Sequence, residues 1–455
     1  MARVLISPLG LGKAPADRGY SKTKYKFEFR DGSKTEYETS FFASALAEEL
    51  DIDKIFFVGT AKSMWEQVYY YFMDKSYQEL DEDYWMEVGK MAYDSCYEKP
   101  LLKTGDLNKA NEAIDIYLKY VYPKASGGSR CFIIDYGVNQ KELWNNFDIF
   151  MSIGDNLNHG DEVYLDITHS FRSIPIFMYL MMNFIQTLNY EKEIKLAGIY
   201  YGMLDARREF GYTPVVDLSP LFEISSWARG VHGYTNYGNG YLIAELLEDK
   251  EIGQKIKNTS ELLNINYLTD LKREIDSLSH YLDKHGNMPT PMFKYLKPYL
   301  NNFIKRFKGI NTNSRFQFEL AKWYFENKRY SNGYICLAES IVTKIAEIYG
   351  DAGYKIGTSS VQRDRIKSVI RMKFKTSDIQ SHKLLYEKYN SINKIRNVIA
   401  HAGYIEDEKG PMRHGRLRVG YFQEDIKECK AHLKSIHKLV FNNSEMKDIP
   451  KLYPL

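Results

Sequence analysis

The chain has little with which to cross-link itself or hold a metal. Its four cysteines, Cys96, Cys131, Cys336 and Cys429, are scattered and form no Cys-x-x-Cys pair, a spacing that suggests neither a disulfide framework nor a zinc site. Long apolar runs are also missing: the longest, residues 174–185, is interrupted by Pro175 and Asn183 and is too short to span a bilayer. Residues 1–12 lack the basic and apolar regions of a secretion signal and read as a buried strand and a turn. A reduced, cytoplasmic protein with no membrane partner is the expectation. There is no Gly-x-Gly-x-x-Gly fingerprint and no Walker loop, so a dinucleotide dehydrogenase or a nucleoside triphosphatase would lack its defining turn. Thirteen prolines and thirty glycines in 455 residues leave no room for a long disordered linker.

What is present is a charge split. The net charge of +3 hides −12 over residues 1–280 and +15 over residues 281–455. A basic C-terminal third suits a polyanion-binding unit; a solvated basic surface is the plainer account. The length exceeds one core and implies two or three domains.

Short apolar runs at 4–7, 54–59, 131–136, 162–168 and 195–202 alternate with amphipathic stretches, the pattern of buried parallel strands in an α/β sheet. Residues 25–29 and 35–39 alternate in period two around Asp31-Gly32 and predict an inserted hairpin. Residues 63–124 read as a helical insertion, and Val215-Val216 begins a last strand ending near Pro220. Strand signals then largely stop. Residues 225–310 read as helices broken around 233–240 and 286–291, and residues 311–455 as mostly helical with a hairpin around 404–421. The pair 316–326 and 334–349 looks like one tetratricopeptide unit, but no second copy follows at the required period.

Two constellations carry chemistry. In the first, the strand at 162–168 runs into His169-Ser170-Phe171-Arg172-Ser173-Ile174-Pro175, and Pro175 suits the first turn of a helix. The helix-start N–H groups, the hydroxyls of Thr168 and Ser170, and Arg172 offer donors to an anion. Other strands end in similar turns: Pro8-Leu9-Gly10-Leu11-Gly12, Gly59-Thr60-Ala61-Lys62-Ser63, Tyr136-Gly137 and Tyr201-Gly202. Ligands of open α/β sheets bind outside such strand ends, although each turn alone is also ordinary strand-to-helix punctuation. Asp166 and His169 are two scattered candidates and do not make a metal ligand set.

The second constellation is Arg396-Asn397-Val398-Ile399-Ala400-His401, at the end of a segment with apolar residues at Leu385, Tyr389, Ile392, Ile395 and Ile399. At about 100° per residue Arg396 falls inside that apolar stripe and requires an anionic partner, because an unpaired buried charge costs several kcal/mol. His401 lies roughly 140° further round and continues the polar line of Asn393 and Asn397. One regular helix cannot aim both at one spot. Either the helix ends here, with Gly403 as its stop, or a second chain completes the site. Histidine moves protons near neutral pH and arginine clamps phosphate, which suits phosphodiester cleavage without metal. The structural alternative is an arginine paired to a carboxylate beside a surface histidine.

With these residues in place, the chain resembles the CRISPR-associated ribonucleases that join an N-terminal CARF sensor to a C-terminal HEPN domain. The likeness rests on Asp166 to Arg172, on Gly59-Thr60-x-x-Ser63-x-Trp65 and on Arg396-x-x-x-x-His401, and it covers nearly the whole chain in order. It implies a Rossmann-like α/β sensor at 1–224, a mostly parallel sheet with a hairpin and a helical insertion, then an all-α linker at 225–310 and a helical HEPN ribonuclease domain at 311–455. It also implies a homodimer whose sensors bind a cyclic oligoadenylate and switch on a metal-independent endoribonuclease for single-stranded RNA, with no cofactor. Carried over by position, Arg396 and His401 match the catalytic pair, with Asn397 beside them. Leu9, Gly10, Gly59, Thr60, Ser63, Tyr136, Thr168, His169, Ser170, Phe171, Arg172 and Gly202 fall at the ligand-facing turns. Two other functions stay open: a sensor or scaffold without nuclease activity, and a sensor that cuts its own ring, using the hydroxyls of Thr60, Ser63 or Thr168 to position a ribose.

Overall fold

The apolar runs of the first half become the centre of one eight-stranded sheet. The protein is described from a computed structural model over residues 1–11, 21–28, 32–169, 173–188, 190–284, 292–356, 360–400 and 428–455, in two units, Met1–Glu223 and Ile224–Leu455. Unit one contains β1 (Arg3–Leu9), β2 (Thr23–Glu28), β3 (Lys34–Thr39), α1 (Phe42–Glu49), β4 (Lys54–Gly59), α2 (Trp65–Lys75), α3 (Glu82–Asp94), α4 (Asn108–Val121), β5 (Arg130–Ile133), α5 (Gln140–Asp155), β6 (Glu162–Asp166), α6 (Ser173–Leu188), β7 (Lys195–Gly202), the single turn α7 (Arg207–Phe210) and β8 (Thr213–Asp217).

The strand order is β3-β2-β8-β7-β6-β1-β4-β5. From β5 to β7 all neighbours are parallel, while β8 is antiparallel to β7. Alternation along the central strands explains why the sheet is covered on both faces. Leu5, Ile55 and Phe57 join the core under α1, α2 and α4; Val4, Ile6, Phe56 and Val58 join the core under α5 and α6. Each such fully buried side chain contributes about 1.5–3 kcal/mol, so a one-residue slip of register would expose a whole row. The expected hairpin forms, and β2 also pairs in parallel with β8 through Tyr25–Thr213 and Lys26–Pro214. That pairing carries the hairpin into the main sheet.

Two strands end earlier than their apolar runs. β5 stops at Ile133, with Ile134 N still donating to Gly59 O at 2.8 Å, and β6 stops at Asp166, with Ile167 N still donating to Tyr200 O at 3.0 Å. Hydrogen bonding rather than hydrophobicity sets both ends: Asn146 Oδ1 accepts the N–H of Asp135, and Asp166 Oδ1 accepts that of Thr168.

Unit two is helical in its described residues. Its helices are α8 (Ser219–Tyr237), which contains the boundary, α9 (Tyr241–Leu246), α10 (Lys250–Ile265), α11 (Leu268–Lys284), α12 (Phe293–Phe307), α13 (Asn313–Glu326), α14 (Tyr330–Asp351), α15 (Ser360–Ser368), α16 (Gln380–Ala400), α17 (Cys429–Ile436) and α18 (Ile449–Leu452). The break expected around 233–240 falls at 238–240, where Gly238 has φ +64; buried Trp227 and Tyr234 carry α8 to Tyr237. One core runs from Trp227 to Ile449, so segments 225–310 and 311–455 pack as a single unit. The breaks read at 286–291 and the hairpin read at 404–421 lie outside the described residues. Among the described residues no helix is long and apolar enough to cross a membrane.

Candidate functional site

The sheet changes direction of winding beside β1: the chain runs outward through β4 and β5, then returns to β6 on the other side of β1. Crevices at the carboxyl ends of strands around such a switch are where α/β sheets bind ligands. Leu9 and Gly10 end β1, Gly59, Thr60 and Ser63 follow β4, Thr168 and His169 follow β6, and Gly202 ends β7. The fold therefore brings these eight predicted residues to one rim.

Hydroxyl groups join the strand ends across this rim. Ser63 Oγ donates to Leu9 O at 2.8 Å and accepts from Thr60 N at 3.0 Å, tying the β4 turn to β1. Trp65 Nε1 donates to Thr60 O at 2.8 Å. Ser7 Oγ donates to Asp166 Oδ2 at 2.7 Å, tying β1 to β6, and Gly202 N donates to Thr168 Oγ1 at 2.8 Å, tying β6 to β7. Two glycines permit this closeness. A Cβ on Gly59 would lie 2.8 Å from Ser63 Oγ, and one on Gly202 would lie 2.9 Å from the Tyr25 ring.

Thr60 and Ser63 are buried, and the Ser63 hydroxyl is held by the Leu9 carbonyl. The rim thus offers a ligand its backbone more than these two hydroxyls. Asp166 is fully buried. Burial pushes its carboxyl above the usual range, while His169 and the donors Ser7 and Thr168 pull it down. Burial likewise pushes the His169 imidazole down, against the pull of Asp166. Ser170, Phe171 and Arg172 lie outside the described residues. Tyr136 stands apart from the rim, beside a cavity of about 510 Å³ at the end of β5.

The rim feeds α6, and α6 is apolar all round. Ile174, Met178, Met181, Met182 and Ile185 are buried, whereas Ile176, Leu180, Phe184 and Leu188 form a second, exposed stripe, with Ile176 at 64% and Leu180 at 57% exposure. The Phe147 ring lies 5.6 Å from Phe184 and 5.5 Å from exposed Trp144 on α5. An apolar patch of this continuity marks an interaction surface.

In the helical unit α16 buries Leu385, Tyr389, Ile392, Ile395 and Val398. Arg396 borders that stripe with its side chain 31% exposed, and the anionic partner that its position demanded is Glu339 of α14, Oε1 lying 3.7 Å from the guanidinium. Arg396 Nη1 also donates to Asn397 Oδ1 at 2.8 Å. Glu339 is shared, since Arg363 of α15 pairs with its other oxygen. The pair is partly buried, with Glu339 22% exposed, and at 3.7 Å it lies at the long end of ion-pair contact. His401 lies outside the described residues, so of the two residues expected as a catalytic pair only the arginine is described. Sequence reasoning required an anionic partner for Arg396, and a carboxylate is the one that the structural alternative expected; it could not identify Glu339, 57 positions earlier on another helix.

Comparison with known proteins gives three findings. Residues 4–204 match the family model for the CARF domain of the CRISPR system endoribonuclease Csx1, and residues 223–313 match the model for the second domain of the CRISPR-associated protein MJ1674. CRISPR-associated protein MJ1674 of Methanocaldococcus jannaschii is 46% identical over 411 residues, covering 88% of this chain, which spans 62% of the length of that relative. A solved structure of Enterococcus italicus Csm6, bound to cyclic hexa-2′-fluoro-hexa-dAMP, aligns over 99% of this chain and 97% of its own at 12% identity and a TM-score of 0.40, a loose likeness.

Proposed function

We propose, on the premise that this chain belongs to the CRISPR-associated family of CARF-containing ribonucleases, that it is a cyclic-oligoadenylate-activated endoribonuclease of type III CRISPR defence. The ring is bound at the rim of the first unit, and single-stranded RNA is cut by a HEPN-type site in the second. The observation that carries the nuclease half is the sharing of Glu339 by Arg396 and Arg363. Two guanidinium groups against one carboxylate leave positive charge at the position where the motif needs a phosphate clamp.

In the proposed reaction the ribose 2′-oxygen attacks the adjacent phosphorus. The 2′-O–P bond forms as the 5′-O–P bond breaks, giving a 2′,3′-cyclic phosphate and a 5′-hydroxyl. In the two-chain site one His401 takes the 2′-hydroxyl proton and the His401 of the second chain protonates the departing 5′-oxygen, while Arg396 stabilises charge on the phosphate oxygens. By the helical spacing read from the sequence, Arg396 and His401 would face different sides of one regular helix, and in this proposal a second chain completes the working site. The exposed α6 stripe supports a homodimer with isologous contacts in the sensor. No metal or cofactor is called for, and a reducing cytoplasm suits the four free thiols.

The test is cleavage of a labelled single-stranded RNA in EDTA by the full chain, with and without rings of four or six adenylates. Cleavage should require a ring and should vanish in His401→Ala. Equal cleavage by that variant would sink the nuclease reading, and ring binding without cleavage of varied RNAs would favour a non-enzymatic sensor.

A further inference from the structure

The cavity of about 510 Å³ at the end of β5 is within the range of small-molecule sites, about 300–1,000 Å³. Apart from the turn after β4, its walls come from parts of the chain that the strand-end rim does not use. Lys62 belongs to the turn after β4, Tyr97 and Lys103 to the segment between α3 and α4, and Asp135 and Tyr136 to the stretch that leaves the sheet after β5. The helical insertion therefore builds one side of a pocket at the carboxyl edge of the sheet. The Gly59-to-Trp65 turn is common to pocket and rim.

The chemistry of the lining is that of a nucleotide site. The Tyr97 and Tyr136 rings meet edge to face with centroids 5.9 Å apart, which leaves an outer ring face for a base to stack on. Tyr97 is fixed in place: its hydroxyl donates to Glu142 Oε1 at 2.5 Å, and Glu142 is itself held by Asn139 and by the N–H groups of Gly137 and Val138. The Tyr97 bond is also the main reason that Glu142 stays below the usual carboxylate range. Lys62 and Lys103 are exposed at the mouth, where ammonium groups serve phosphate as point charges. Asp135 accepts one bond from Asn145 at Oδ2 and retains acceptor capacity for an exocyclic amine. An adenine presents such an amine where a guanine presents a carbonyl.

We propose that this cavity is a subsite for one adenosine nucleotide of the activating ring. The base lies against Tyr97 and Tyr136, its amine faces Asp135, and its phosphate lies between Lys62 and Lys103. β5 lies two strands from β1, about 10 Å across the sheet, so a ring seated on the rim extends one nucleotide sideways into the pocket. The assignment rests on the reading of unit one as a ring sensor. It adds that the insertion selects the ligand.

The test is equilibrium binding of fluorescent rings of four and six adenylates to the full chain, with thermal melting to check folding. Lys62→Ala combined with Lys103→Ala should weaken binding of the activating ring about tenfold, as should Tyr97→Ala, while Tyr97→Phe should bind like the wild type. Binding unchanged within about twofold in the lysine variant and in Tyr97→Ala overturns the subsite and leaves the sensor reading intact. If the wild type binds neither ring, the sensor reading fails. Ligand-observed NMR with 5′-AMP then decides the subsite alone: a signal lost in the double lysine variant supports it, and no signal in the wild type overturns it.

Discussion

The first unit holds its candidate site with neutral groups and backbone, and the second holds its own with charge. Along the rim of the sheet, serine and threonine hydroxyls join four strand ends, and the one buried carboxylate, Asp166, is held by Ser7 and Thr168. In the helical unit a single glutamate holds two arginines. Net charge follows the same division, −10 for residues 1–223 and +13 for residues 224–455. A pocket that recognises a small ring benefits from groups that are fixed before binding, whereas a site for a long polyanion benefits from a field. If the proposed ligands, a ring and an RNA, are the right ones, the two solutions match two ligands that differ in kind.

The largest expected effect would separate the two sites outright. Arg396→Ala should lower ring-activated cleavage by at least about 10²–10³, the cost of losing one strong charge-stabilising donor, and should leave ring affinity unchanged. The fold should survive, since Glu339 keeps Arg363. A variant that retained a tenth of wild-type cleavage would return Arg396 to a structural role, and one that lost ring affinity would break the division between the sites.

A smaller effect is expected from the sensor's exposed stripe. Leu180→Glu with Phe184→Glu places two charges on the apolar face of α6, where they should dissociate the dimer, read by light scattering. Cleavage should then fall about tenfold at submicromolar protein and recover at high concentration. A monomeric wild type, or a dimer indifferent to both substitutions, would remove the two-chain nuclease site. The α6 stripe would then need another partner.

The sheet was readable from the sequence because its strands are buried on both faces and so appear as unbroken apolar runs. Its ends were less so: Ile134 to Tyr136 and Ile167 to Thr168 are as apolar or β-prone as the strands before them, and only the side-chain bonds of Asn146 and Asp166 stop the ladder. Tyr136 was expected at the rim with the other strand-end residues. It lines the cavity that the insertion closes, next to the turn after β4. For Arg396 the periodicity of α16 required an anionic partner, but Glu339 could be found only in three dimensions. Lys62 and Tyr97 were silent for the same reason, being unremarkable residues until the chain brings them together.

The smallest effect is an acid response that should differ between the units. His382 is fully buried, stacked on Phe374 at 4.8 Å, with Nδ1 3.2 Å from the Tyr453 hydroxyl; burial pushes its pKa below the ordinary 6.5, against a weaker pull from Glu445. His432 is pushed down in the same way, with Glu428 opposing and Lys388 assisting. In both cases the unfolded chain binds the proton more readily, so stability is complete above pH 6.5 and declines as pH falls below it toward the folded-state value. In unit one the same decline from His169 is opposed by Asp166, whose raised pKa makes the folded state take up a proton as pH falls. Hydrogen exchange at pH 7.5 and 5.0 should therefore show protection lost mainly in α14, α16 and α17. The melting temperature should fall on the order of 2–4 °C if the two histidines together contribute about 1 kcal/mol. His382→Phe, which keeps an aromatic ring against Phe374, should remove part of that fall; equal losses in both units would show that the histidines of unit two are not its source.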